Sequence, residues 1–244
     1  MIPVSTTPML TKNTTELRLT VEQHIAADSV IQGAYWDDEA HKGCFIGCLA
    51  HSDDPRINEA RYGLPLMVQR IAESIFEDLP VEDAKAFSAA LPDAVACDGK
   101  DLTKVGWQFL ASELRSLPPQ PAEIQAVINP VIAGMDLLAK GNEWLEAASA
   151  AWAAYAAAYA AAWAARAARA ASAADDAAYD AAYAAARAAS AASAASAAWA
   201  ADDAASAVRA ASAASAAWAD ARLRQRDLLL RLIAEAPVVQ QEVE

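Results

Sequence analysis

From Glu143 to Ala236 the chain contains no glycine, proline or asparagine, and residues 147–221 are about two-thirds alanine. Alanine is the strongest helix former and no breaker intervenes, so this stretch can only be expected to be helical. β-Branched residues are scarce after residue 140, which argues against a large sheet. One unbroken helix of this length would run roughly 140 Å at 1.5 Å per residue. The residues that are not alanine argue against it. Their stripe begins Ser149, Trp152, Tyr155, Tyr159, Trp163, Arg166, Arg169 and continues to Arg222 in steps of three or four. The mean step is roughly 3.3 against 3.6 for a full turn, so the stripe slides roughly 28° per step and cannot hold one face of a straight helix. The pairs Asp175–Asp176 and Asp202–Asp203 divide the tract into comparable lengths, and carboxylates suit helix N-termini. We expect two breaks near these pairs and a bundle of about three long helices. A single solvated helix with Asp–Arg pairs is the alternative.

Residues 1–140 also carry helical patterning. Leu17, Val21 and Ile25 recur at four-residue steps toward Gly33, and Met67, Ile71, Ile75 and Phe76 mark a helix over 66–79 that Pro80 ends. Further helices are expected over 81–91, 102–117 and 122–140, the last interrupted at Pro130. A short one is expected over 39–51, followed by a stop and restart at Asp53–Pro55. The expected fold is all-α, with a compact helical domain over 1–140 that opens with a loose arm. An Ala-rich bundle follows over 141–236, and then a frayed tail over 237–244. The aliphatic residues up to Ile233 should dock the last helix on the N-terminal domain.

The net charge is −13, which supplies no field to attract long nucleic acid or an anionic membrane. Residues 147–165 are all uncharged, a run long enough for a bilayer. They are mostly alanine with Ser149, Tyr155 and Tyr159, and arginine follows at once, so no membrane span is expected. The first residues lack the apolar run of a signal peptide. Three cysteines, Cys44, Cys48 and Cys97, cannot all pair with one another. They suggest reduced thiols and a cytoplasmic location, the host's cytoplasm if the chain is phage-encoded.

The chemically informative segment is 35–51, from Tyr35 and Trp36 through His41, Lys42, Gly43, Cys44, Gly47 and Cys48 to His51. On a helix over 39–51, His41, Cys44, Cys48 and His51 share one stripe. Such a stripe spreads over roughly 15 Å, too far for four ligands to reach one tetrahedral ion. Cys44, Cys48 and His51 remain as a partial zinc set. Alternatively Cys44, at a helix start that lowers thiol pKa, or Cys48, with His51 one turn on, is a nucleophile. The third reading makes both cysteines small buried hydrophobes, with Gly43 and Gly47 allowing close packing. In the preceding helix His24, Asp28 and Gln32 are spaced by four, and an Asp one turn from a His can fix its tautomer.

The order His24-x3-Asp28, Gln32-Gly33-x-Tyr35-Trp36, Gly43-Cys44-x2-Gly47-Cys48-x2-His51 resembles a family of uncharacterised proteins from phages and bacteria. Tyr62-Gly63-Leu64-Pro65 and Ile75-Phe76-Glu77-x-Leu79-Pro80 resemble its second block. The likeness covers about residues 17–117, and beyond them only the Ala-rich style. In that family a shorter, Gly-containing link joins Tyr-Trp to Gly-Cys. Here residues 37–42 replace it, which leaves His41 outside the shared pattern. The resemblance implies a phage or mobile-element context.

The preferred functional expectation is a binding module. His24, Asp28, Gln32, Tyr35, Trp36, Lys42 and His51 would face Trp163, Arg166 and Arg169 of the Ala-rich helices, with Trp152, Tyr155, Tyr159, Arg187 and Arg209 as further candidates. Aromatics with arginine suit a small nucleotide-like anion through stacking and bidentate phosphate contacts. Such a protein could sequester a host signal or block a host defence protein, and its alanine faces could also pair chains into a homo-oligomer. The alternatives are an enzyme using Cys44 or Cys48 with His51 and His24, and a structural rod. An ice-binding rod is disfavoured because threonine is absent from the tract. No Gly-rich phosphate loop, serine elbow or metalloprotease helix is present, and no cofactor is expected.

Overall fold

The computed structural model describes residues 8–145 and 215–239, without the side chains of residues 123 and 215–219. The protein is all-α. Among the described residues are eight helices: α1 (Thr14–Ala26), α2 (Phe45–Ala50), α3 (Arg56–Tyr62), α4 (Leu66–Asp78), α5 (Val81–Val95), α6 (Val105–Ser116), α7 (Ala122–Ala139) and α8 (Ser215–Glu235). The one sheet among them is a two-stranded antiparallel hairpin, β1 (Trp36–Asp37) and β2 (Lys42–Gly43). Among the described residues no helix is long and apolar enough to cross a membrane. The Ala-rich stripe and its two expected breaks lie outside the described residues.

The described residues fall into two compact units. One holds 8–106 and 222–239, the other 107–145 and 215–221. In the first, α4 shows how pattern becomes packing. Met67, Ile71, Ile75 and Phe76 share one face and all are buried. Phe76 meets Phe45 of α2 at 5.2 Å between ring centroids, and Phe45 meets Phe87 of α5 at 5.5 Å. Each such ring taken from water contributes about 1.5–3 kcal/mol. Beside them a buried amide pair ties three helices. Asn58 of α3 donates to the Ile46 carbonyl of α2 and to Gln69 Oε1 of α4, and Gln69 Nε2 donates to the Pro55 and Leu64 carbonyls. In the other unit, α7 buries Ile124, Ile128, Val131, Met135 and Leu138. It runs unbroken through Pro130, where an interruption was expected.

Residues 8–13 and 237–239 are tied down; the rest of the expected arm and tail, 1–7 and 240–244, lies outside the described residues. Thr11 N donates to the Lys100 carbonyl, and Asp101 N donates to that of Pro237. Val239 N donates to the Gly99 carbonyl. At this crossing the buried Lys100 ammonium donates to the carbonyls of Ala94, Ile233 and Ala234, joining the ends of α5 and α8. Leu229 and Ile233 of α8 are fully buried. Arg222 pairs with Asp78, and Arg226 with Asp83 at 3.2 Å.

Two expected helices end differently. α1 stops at Ala26 instead of continuing toward Gly33, because Ser29 turns back and gives both its amide and its hydroxyl to the His24 carbonyl at 3.0 Å. Asp28 accommodates that reversal in a left-handed conformation, φ 49°. Residues 39–44 form the hairpin turn and β2 instead of a helix. Asp37 Oδ1 accepts the amides of Glu39 and Ala40, a local bond that competes with helix formation. The helix that remains is α2.

Candidate functional site

The Gly-Cys repeat serves a chain crossing. The Tyr35 carbonyl lies against the start of α2 so closely that a Cβ on Gly43 would stand 2.2 Å from it, and one on Gly47 1.7 Å. Only glycine fits either place. Cys44 N donates to the Ala34 carbonyl at 2.7 Å, and Cys44 caps α2 by accepting the Gly47 amide on Sγ at 3.4 Å. Cys48 Sγ lies 3.4 Å from the Gly43 carbonyl and 3.6 Å from that of Ser29.

Both thiols are shut in the core, at 0% and 1% exposure. Burial pushes the Cys44 thiol up to about 12 and the Cys48 thiol up to about 11, outweighing the amide and polar contacts that favour thiolate. A nucleophile needs the reverse, so the arrangement gives no support to Cys44 or Cys48 attacking a substrate with His51 or His24 as base. The zinc set of Cys44, Cys48 and His51 fails similarly: His51 lies at the exposed end of α2, Cys44 Sγ accepts the Gly47 amide, and Cys48 Sγ faces the Gly43 and Ser29 carbonyls. Among the described residues no three His, Cys, Asp or Glu side chains are arranged to hold a metal ion.

What the crossing builds is a cluster of rings. His24, half-buried in the last turn of α1, places Nε2 2.7 Å from Nε2 of His51, which follows α2. His51 stacks on the half-exposed Trp36 indole at 5.1 Å and 17°, and His24 meets the same indole edge-on at 6.2 Å. His41, exposed at the hairpin turn, tilts toward it at 6.3 Å. The chain has three histidines, and all three therefore meet one tryptophan. Asp28, His41 and His51 each have φ between 49° and 52°. Asn13 and Ala96 also have positive φ elsewhere in the chain, and at Asp28 and His51 this geometry marks the reversal that follows a helix.

Ser29 Oγ lies 3.0 Å from the His24 carbonyl and 2.7 Å from His24 Nδ1. With its hydrogen on the carbonyl it accepts from Nδ1–H, the tautomer that leaves the His24 Nε2 lone pair outward to meet His51 Nε2–H. Burial, and next the charge His51 would carry, hold His24 below its ordinary pKa, opposed by the Cys48 backbone. Carboxylates border the cluster. Trp36 Nε1 donates to Asp38 at 2.6 Å, and Glu39 shares the same exposed turn.

The remaining candidates have other work. Asp28 pairs with Lys85 at 2.9 Å, which holds its carboxyl below the usual range, so Ser29 orients His24 in the place expected of Asp28. Gln32 donates to the Phe76, Glu77 and Leu79 carbonyls and closes the end of α4. The Tyr35 ring lies under the Arg70 guanidinium at 5.4 Å, and its hydroxyl is buried without a partner among the described residues. Lys42 pairs in register with Asp37, one residue on from Trp36, and therefore belongs to the other face of the hairpin. Trp163, Arg166 and Arg169, with Trp152, Tyr155, Tyr159, Arg187 and Arg209, lie outside the described residues. Ser29 was missed because a serine shortly after a histidine carries no signal until the chain reverses.

No protein-family model matches the chain, and neither a curated protein nor a solved structure matches it significantly.

Proposed function

We propose that this chain is a binding module that captures a small nucleotide-like or otherwise anionic ligand on the face made by Trp36, His24, His41 and His51. The observation that supports this reading is the convergence of all three histidines on one half-exposed indole, while the thiols an enzyme would need are buried. The indole offers a stacking surface for a planar group. Imidazole N–H groups offer donors to an anion. The resemblance to phage and bacterial proteins supplies a setting, in which the captured species is a host signal or part of a host defence.

Equilibrium dialysis of the full chain against radiolabelled nucleoside mono-, di- and triphosphates, with and without a chelator, tests this. Binding to the parent protein, lost by at least about tenfold in Trp36→Leu with an unchanged thermal melt, is the expected outcome. No retention in either condition, or retention indifferent to Trp36, would overturn the reading.

A further inference from the structure

The facing ring nitrogens of His24 and His51 are arranged for a ligand of their own. We infer that this pair chelates one divalent transition-metal ion of borderline softness, such as Zn(II), through the two Nε2 atoms, with water or a captured anion completing its shell. The inference stands on the imidazole geometry and does not need the ligand reading above.

Three features support it. First, Ser29 Oγ lies 2.7 Å from His24 Nδ1, placed to accept its N–H and leave the Nε2 lone pair outward. This is the bond that orients metal-bound histidine generally, where the non-ligating nitrogen donates to an oxygen. Second, His51 Nε2 lies 2.7 Å away. Two imidazoles on one tetrahedral zinc, each with Zn–N of about 2.05 Å, hold their nitrogens about 3.3 Å apart. The ring centroids stand 4.9 Å apart, so the two nitrogens now point at each other. Binding needs the pair to open by about 0.6 Å and the rings to turn until both lone pairs meet on the ion. His51, exposed after α2, is the ring placed to turn, moving on its stack with Trp36. The hydrogen on His51 Nε2 moves to Nδ1, so the neutral pair binds the ion without net loss of a proton. Third, Asp38 and Glu39 lie in the neighbouring turn, and their charge favours a cation at the imidazole pair; a held ion would in turn give a captured anion a positive centre to meet.

A shared proton between the two rings is the competing account, and zinc alone separates the two. Chelator-treated full-length protein is titrated with zinc chloride, followed by calorimetry and by imidazole NMR, where three histidines give three sets of signals. The expected result is one ion per chain, with the His24 and His51 signals shifting together. His24→Gln and His51→Gln should each weaken binding at least about tenfold, and Ser29→Ala about tenfold with the fold retained by circular dichroism. No shift of the His24 and His51 signals at saturating zinc, or a shift of His41 alone, overturns the inference. Unchanged affinity in either histidine variant does so too. The parent protein's spectrum decides the matter even if a variant fails to fold.

Discussion

Gly47 has a cost of substitution that can be stated directly. An added methyl would stand 1.7 Å from the Tyr35 carbonyl, and a backbone group held by the packed start of α2 cannot yield that far. Gly47→Ala should therefore destabilise by about 3 kcal/mol or more, measured by denaturant unfolding. A change below about 0.5 kcal/mol would show that the crossing is looser than described. At His24 the prediction concerns acid. The folded state holds this imidazole below its ordinary pKa, so on acidification the unfolded chain takes the proton first. Stability is then full above the ordinary imidazole value, falls as pH drops through it, and levels off below the folded-state pKa. Thermal melts from slightly alkaline to mildly acidic pH should show the decline, and His24→Gln should flatten it. Of the site, the sequence made His24, Trp36 and His51 visible through their types and order. Their contact was not visible, because the two imidazoles stand far apart along the chain and a turn must return one to the other.

Among the elements, α4 was legible because its apolar residues keep helical spacing and prolines bound it on both sides. The hairpin was not. Residues 37–42, Asp-Asp-Glu-Ala-His-Lys, have a composition that suits a helix, and only the Asp37 carboxylate accepting two amides reverses the outcome. A helix interior tolerates Pro130 and Pro92 for the opposite reason: each removes one backbone donor while the buried faces of α7 and α5 remain intact. The crossing at Lys100 makes a prediction at this scale. Its ammonium serves three carbonyls at the ends of two helices, and it is buried. Lys100→Met keeps the stem and leaves those carbonyls without their charged donor. The expected loss is about 1–3 kcal/mol in denaturant unfolding. No loss would mean that water replaces the ammonium.

At the scale of the molecule, the unit carrying the histidines is discontinuous in sequence: residues 8–106 need 222–239. A chain stopped after Ala221 lacks the Arg222–Asp78 pair, the Lys100 acceptors on α8, and Leu229 and Ile233. In the intact protein Cys97 is exposed while Cys44 and Cys48 are buried. A thiol reagent should label one cysteine per chain there and all three in the truncated form, and protection of Cys44 and Cys48 in the truncated form would show that the unit closes without α8. The same discontinuity sets a schedule for biosynthesis. While a ribosome is making the alanine-rich stretch, residues 8–106 have already emerged but lack the segment that completes their core. If the truncated form labels as expected, these residues stay open until residue 239 clears the exit tunnel, chaperones and proteases have their opening late in translation, and a premature stop in the alanine tract should leave a product that quality control removes.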